Sequence, residues 1–250
     1  MKRGIFEYKF DTHTHTTNSD GQNDEQQILT YAAYQKCILF SITDHDYLTI
    51  PFDYKFLYLP GVEISTNYKN CNFHLLAYFP QLAISKQSSY VFSGQEVAFN
   101  QDIEQRNKFY NSPQFLNFQA MLFQLRELRV ERVKSLVSEE ELAKAQSKSK
   151  SISRNHFKNV TLPDFGGLAI SEIGQILIES KCKLCFAHPW HAESANQIRQ
   201  YLKETFPGQY LGEEGREMFG SDYHGKGRVG RKVKGDLAIQ IIMRIFGNVN

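Results

Sequence analysis

The chain has 250 residues, with 29 Lys and Arg against 27 Asp and Glu, 41% apolar residues and 13% aromatics. That length and apolar content support a sizeable core, and a formal charge of +2 excludes a polybasic protein that binds nucleic acid by charge alone. No run of about 18 apolar residues is present, which argues against a helical membrane span, and four Cys are too few for a disulfide scaffold.

The start, Met1 to Glu7, reaches an acidic residue before an apolar segment can form. This predicts no secretory signal and a soluble, cytoplasmic protein. Ile5 to Phe10 reads as a strand ending in Asp11-Thr12-His13-Thr14-His15. Ser19-Asp20-Gly21-Gln22-Asn23-Asp24 is turn chemistry. A helix follows from about Glu25 to Lys36, with Ile28, Leu29, Ala32 and Ala33 on one face. Cys37 to Thr43 reads as a buried strand that stops at Asp44-His45-Asp46. Leu57 to Ile64 contains a strand ending at Glu63, and Asn72 to Phe79 alternates and carries His74. This rhythm predicts an α/β fold with parallel strands.

From about Glu96 to Ser147 the pattern is helical. Met121, Leu125, Leu128, Arg132 and Leu136 follow helical spacing, widened by Leu122, Val133 and Val137. We read residues 96–160 as a helical insertion within a single domain spanning 1–250. The α/β rhythm returns with a helix near Ser171 to Ser180 and a strand at Lys183 to Ala187 before His188-Pro189. A helix at about Ala192 to Glu204 follows, then a Gly-rich stretch to Asp222-Tyr223-His224, and a last apolar element at Leu237 to Phe246.

The eight His decide the functional reading. In parallel sheets the C-terminal strand ends form the working face, so residues distant in sequence converge there. His13 and His15, two apart, share one strand face and can grip one ion. Asp222 and His224 repeat that spacing. His45 lies between two acids, Glu63 ends a strand, His74 sits within one, and His188 follows another. Imidazole and carboxylate ligands suit Mn, Fe or Zn in the divalent state. These ligands exceed what one ion needs, which predicts two or three metals. Cys182-Lys183-Leu184-Cys185 has no second cysteine pair and reads as two ordinary thiols.

Several of these segments carry a resemblance. Asp11-Thr12-His13-Thr14-His15-Thr16-Thr17-Asn18-Ser19-Asp20-Gly21, Thr43-Asp44-His45-Asp46, Gly61-Val62-Glu63-Ile64-Ser65, Ala187-His188-Pro189 and Gly220-Ser221-Asp222-Tyr223-His224-Gly225 resemble, in order, the motifs of the PHP (polymerase and histidinol phosphatase) phosphoesterases. The match spans residues 7 to 225. The Ser-Asp-Gly ending and the insertion are most similar to the subgroup that dephosphorylates nucleotides and trims RNA from the 5′ end. The resemblance implies a distorted (β/α)7 barrel holding a trinuclear site. By motif position His13, His15, Glu63 and Asp222 hold one metal. Glu63 bridges to a second, completed by His74 and His188, and Asp20, His45 and His224 hold the third. A water activated between two cations is then the nucleophile.

Asp44 and Asp46 are candidates for orienting His45, or for capping and turn roles. Ser153-Arg154-Asn155-His156-Phe157 resembles a phosphate-binding segment of the subgroup. It gives Arg154 and His156 as phosphate contacts, or else forms a surface basic turn. Arg126, Arg129, Arg132 and Lys134 read as a solvated helix face. Lys226, Arg228, Arg231, Lys232 and Lys234 could touch an acidic substrate. His191 reads as extra to the ligand set. Only 33 residues separate His188 from Asp222, little room for a strand with flanking helices. The expected activity is hydrolysis of phosphate esters of a nucleotide or short single-stranded nucleic acid. No membrane association and no obligate protein partner are expected. The alternatives are a phosphatase of a small monoester such as histidinol phosphate, or a non-catalytic metal-binding module.

Overall fold

The structure, a computed structural model, describes residues 7–50, 56–92, 95–99, 102–157, 160, 162, 164–191 and 194–247, except for the side chain of His191. The sequence reading of His191 and of residues 5, 6, 192 and 193 therefore lies outside the described residues.

β1 (Glu7–Asp11) leads into the first histidine pair. α1 (Glu25–Tyr34) begins at a capping box. Asp24 accepts the Gln27 N–H at 2.8 Å, and the Gln27 side chain accepts the Asp24 N–H at 2.9 Å, satisfying two donors that a helix start leaves open. β2 (Cys37–Phe40) runs parallel to β1, and β3 (Leu57–Tyr58) parallel to β2. Pro60 separates β3 from β4 (Gly61–Tyr68), because proline cannot donate to a ladder. β5 (Cys71–Tyr78) folds back on β4 as an antiparallel hairpin. Lys69 and Asn70 both have positive φ, 49° and 65°, as a two-residue hairpin loop of this hand requires.

A second hairpin, β6 (Ser89–Phe92) and β7 (Gln95–Ala98), precedes α2 (Ile103–Tyr110), α3 (Pro113–Val133) and α4 (Glu139–Lys148). Residues 96–98, expected to be helical, are therefore strand. β8 (Leu168–Ala169) leads into α5 (Ile170–Glu179), β9 (Lys183–Phe186), α6 (Ala195–Thr205) and β10 (Tyr210–Glu213). β11 (Arg231–Lys234) and α7 (Gly235–Phe246) complete the described chain. Among the described residues no helix is long and apolar enough to cross a membrane.

The strands form an open four-stranded sheet, β11-β1-β2-β3, and an open five-stranded sheet, β10-β9-β5-β4-β8. This corrects two expectations. The β4–β5, β5–β9 and β1–β11 pairs are antiparallel, and the described strands do not close a (β/α)7 barrel. The two sheets meet at a seam instead. His45 and Glu63 form a parallel bridge across it, with Asp46 N–H donating to the Glu63 carbonyl at 2.9 Å and Glu63 N–H to the Asp44 carbonyl at 3.2 Å. The short span after His188 does hold a strand, β10, parallel to β9. No helix follows it, and turns carry the chain directly to Asp222.

α3 packs Phe115, Phe118, Met121, Leu122 and Leu125 into one cluster with Val62, Ile64, Leu75 and Leu184 of the five-stranded sheet. Its buried row continues through Arg129 and Val133, a run of i, i+4 steps on one face. Leu128 and Leu136, placed on that stripe by the sequence pattern, are exposed.

Candidate metal centre

The end of β1 is fixed before any ligand is considered. Asp11 is fully buried; its Oδ1 accepts the Ser221 N–H at 2.8 Å and its Oδ2 the Gly230 N–H at 2.7 Å. Burial pushes its carboxyl up to about 6 despite these donors. His13 and His15 follow, both fully buried. Asp44 organises the next loop, accepting the Thr16 N–H at 2.7 Å, the Thr16 hydroxyl at 2.7 Å and the Ser19 hydroxyl at 2.6 Å. Ser19 Oγ in turn lies 3.3 Å from His15 Nδ1. Asp46, with φ of 51°, accepts the Ser65 N–H at 3.0 Å and Arg129 Nε at 2.6 Å. Neither aspartate hydrogen-bonds the His45 ring. Asp44 acts on His15 through Ser19, and Asp46 on the backbone beside His45.

The hub is Glu63, fully buried at the start of β4. Its Oε2 lies 3.1 Å from His13 Nε2, 3.1 Å from His15 Nε2 and 3.2 Å from His45 Nδ1. Its Oε1 lies 2.8 Å from His74 Nδ1 and 2.9 Å from His188 Nε2. Asp222 Oδ1 is 3.4 Å from both His13 Nε2 and His15 Nε2. On the far side of His15, Asp20 faces His224 Nε2 at 3.1 Å, His15 Nδ1 at 3.5 Å and His45 Nε2 at 3.7 Å. All nine sequence candidates thus converge. They form four overlapping groups spaced to hold metal: His15, Asp20, His45 and His224; His13, Glu63 and His188; His13, His15 and Asp222; and His45, Glu63 and His74.

The donor set fits cations. His13 Nδ1 lies 3.1 Å from Glu214 Oε1, so in a neutral ring Nδ1 carries the proton and Nε2 is a lone pair. That lone pair converges on Glu63 Oε2, His15 Nε2 and Asp222 Oδ1, an arrangement that repels itself unless positive charge stands between. His45 Nδ1 is buried and, although 3.2 Å from Glu63 Oε2, makes no hydrogen bond to it. Burial pushes His45 well below the usual imidazole range, leaving it neutral and able to coordinate. Elsewhere protons can stand in for cations. Burial opposes charge on His13, but Glu214 and Glu63 outweigh it and raise its pKa well above the usual value. For His15 burial is outweighed by Asp222 and Glu63, pushing it up to about 10. Burial opposes ionisation of Glu63, yet the imidazole cluster around it, His13 included, holds it well below the usual carboxylate range. The same competition lowers Asp20 and Asp222.

A cavity of about 630 Å³ opens beside this cluster. Asp20, His45, Glu63, His74, His188, Asp222 and His224 form one side, and Arg132, Arg154, Asn155, Phe157 and Phe165 line others. Arg154 begins a single 3-10 turn capped by Ser153, and Asn155 donates to Asp20 Oδ2 at 3.3 Å. Ser149 and Ser151 tie this return segment to Asn18 and Ser19. His156 is turned into its own loop, its Nδ1 accepting the Ser153 N–H at 3.0 Å, and it does not line the cavity. The helix cations depart from the solvated reading. Arg129 is buried on Asp46, Arg126 donates to the Asp46 carbonyl at 2.8 Å, and Arg132 lines the cavity. Lys134 alone of the four pairs locally, with Glu131. In the basic run after His224, Lys232 pairs with Glu7 at 2.6 Å and Arg231 with the Gly220 carbonyl at 3.3 Å, and none of the five lines the cavity.

Glu214 is the residue that sequence reasoning missed. The available signal was the pair Glu213-Glu214 after Tyr210-Leu211-Gly212, which does not by itself say which of the two carboxylates faces the cluster.

Neither family models nor curated proteins yield a match to the chain. Solved structures do. An amidohydrolase from Chromobacterium violaceum, with bound sulfate and no metal, superposes with a TM-score of 0.61 at 16% identity, covering 94% of this chain and 96% of that one. A protein assigned as a metal-dependent phosphoesterase from Bifidobacterium adolescentis gives 0.60 at 16% identity with the same coverage. At this identity the likeness establishes a shared fold over nearly the whole chain.

Proposed function

We propose that this chain is a metal-dependent phosphoesterase of the PHP type, hydrolysing phosphate esters of nucleotides or short oligonucleotides. The observation that carries the reading is Glu63, a buried carboxylate within 3.2 Å of five imidazole nitrogens from five separate chain positions. His13, His15, Glu63 and Asp222 would hold one cation, Glu63, His74 and His188 a second, and Asp20, His45 and His224 a third. Two to three divalent Mn, Fe or Zn ions so held would supply Lewis-acid charge for the phosphoryl oxygens and acidify water towards neutral pH.

The chain's own groups do the rest. Arg132 and Arg154 offer cations to phosphate oxygens, and guanidinium geometry suits that anion. Asn155 ties the Arg154 turn to Asp20, so the phosphate contact and the ligand cluster move together. Phe165, partly exposed, gives the cavity an aromatic edge against which a nucleobase can pack. The sulfate in the Chromobacterium neighbour is a tetrahedral oxyanion and accords with such a substrate. The arginine pair favours phosphate over the neutral amide that an amidohydrolase would take.

The test is turnover by Mn-loaded protein on AMP, a 3′,5′-bisphosphonucleoside, 5′-phosphorylated RNA, histidinol phosphate and a simple amide. Turnover of a nucleotide or RNA is expected. His13→Ala should lose both metal and activity, and Arg154→Ala should lower kcat/KM by about 10–100-fold, the loss of one charge-assisted hydrogen bond. Metal-loaded protein that leaves every nucleotide and RNA intact defeats the proposal.

A further inference from the structure

Glu214 stands directly after β10, buried at 4% exposure. Its backbone N–H donates to the Phe186 carbonyl of β9 at 2.9 Å, which fixes its height beside the ligands. Its two carboxylate oxygens serve two different partners. Oε1 lies 3.1 Å from His13 Nδ1, and Oε2 accepts the His188 N–H at 3.0 Å. The His13 and His188 rings stack with centroids 5.8 Å apart and planes at 23°. His188 has φ of 28°, a conformation that a non-glycine residue holds only when its surroundings impose it. Gly220 seals the other side: a Cβ there would lie 2.3 Å from His13 Cβ and 2.6 Å from Glu214 Oε1.

We infer that Glu214 is a positioning residue that sets two ligands of the cluster at once, the protonation of the His13 ring and the backbone placement of His188. This rests on the metal-centre reading above. A carboxylate accepting Nδ1–H leaves Nε2 bare towards the cluster, and such partners orient and strengthen ligating imidazoles. Both oxygens must accept. The amide of a glutamine offers one acceptor and one donor, so Glu214→Gln faces a forced choice. With its oxygen on His13 Nδ1, its NH2 opposes the His188 N–H. With its oxygen on the His188 N–H, its NH2 opposes Nδ1–H and drives the His13 proton to Nε2, where a ligand must be bare.

The experiment compares wild type, Glu214→Gln and Glu213→Gln by titration with Zn, with elemental analysis of the loaded proteins and thermal scans of the chelated ones. Glu213 is a suitable control because its carboxylate pairs with Arg199 at 2.7 Å and Arg216 at 2.8 Å. Glu214→Gln should lose ~10–100-fold in Zn affinity, while Glu213→Gln binds like wild type. In Zn-loaded wild type the hydrogen-bonded Nδ1 proton of His13 should appear as a low-field NMR signal that is absent from His13→Ala and is shifted or lost in Glu214→Gln. That signal can be sought in wild type whether or not the variant folds. Wild-type Zn affinity in Glu214→Gln, or no such signal in the loaded wild type, overturns the inference while leaving the metal centre standing. A wild type that binds no metal overturns both.

Discussion

Replacing Arg129 by methionine removes the cation paired with Asp46 and keeps a long apolar stem on α3. The pair is close, 2.6 Å from Nε to Oδ2, with the two side chains 8% and 0% exposed. Arg129 also donates through Nη2 to Ser65 Oγ at 2.6 Å and lies over Phe165, 4.5 Å from the ring centroid. After the change Asp46 keeps the Ser65 N–H on Oδ1 and loses the donor on Oδ2. Breaking a buried pair by removing one partner costs about 3–5 kcal/mol, because the other charge stays buried and uncompensated. Arg126, donating to the Asp46 carbonyl, keeps a positive group nearby and argues for the lower end. A loss of about 3 kcal/mol corresponds to roughly 6–12 °C in Tm for a chain of this size.

Urea and thermal unfolding of the chelated protein at pH 7 measure the effect. The double variant Arg129→Met with Asp46→Asn removes the orphan charge, and asparagine tolerates a positive φ. It should regain about half of the loss or more. A penalty for Arg129→Met below about 1 kcal/mol, the value of an exposed ion pair, would refute the reasoning. Because Asp46 adjoins His45, the same variant should also weaken metal binding.

Proton–metal competition gives a pH prediction. In the metal-free protein His15 is pushed up to about 10, and His13 and His188 are also raised. Groups raised above their unfolded value near 6.5 contribute stability that is complete below that pH and is lost as pH rises through the folded pKa. Chelated protein should therefore show Tm falling from about pH 6.5 towards 10, and Mn-loaded protein should flatten that fall; a flat chelated profile counts against the ring geometry. Thiol counting tests the core. Burial pushes Cys37 and Cys182 up to about 12 and Cys185 well above the usual range, while Cys71 is half-buried. One thiol per chain should react quickly with a disulfide reagent at pH 8, and all four after unfolding; two fast thiols in native protein would contradict this packing.

Which parts were legible follows from the range of the signal. The His13–His15 spacing is local and puts two rings on one face whatever the rest of the fold does. His45 and His188 are legible for the same reason, since each follows a short apolar run, but Glu63, expected to end its strand, stands third in β4, which runs on to Tyr68. Strand direction is not local. Alternation in Asn72 to Phe79 reads the same whether the strand runs parallel or antiparallel, and only the Lys69-Asn70 loop carried the answer. Arg129 misleads because its charge groups it with Arg126, Arg132 and Lys134, although i, i+4 steps from Met121 and Leu125 place it on the buried row. Its burial depends on Asp46, 83 positions away. Glu214 gains its meaning only when β10 returns beside β9 and brings it to His13, 201 positions earlier.

The seam also bears on how a nearly neutral chain would select an anion. Asp20, Glu63 and Asp222 make the ring acidic, and in the metal-free protein protons on His13, His15 and His188 do no more than balance those three carboxylates. Two divalent ions would already outweigh those three carboxylates and make the field positive with the imidazoles neutral. Arg132 and Arg154 come from α3 and the segment after α4, outside the ring, and their charge does not depend on metal. Phosphate should therefore meet one constant attraction from the insertion and one that exists only in the loaded protein. On the metal-centre reading, substrate affinity as well as turnover depends on metal content. Inorganic phosphate should bind the Mn-loaded protein much more tightly than the chelated one, and equal binding to both would place the anion site away from the histidine ring.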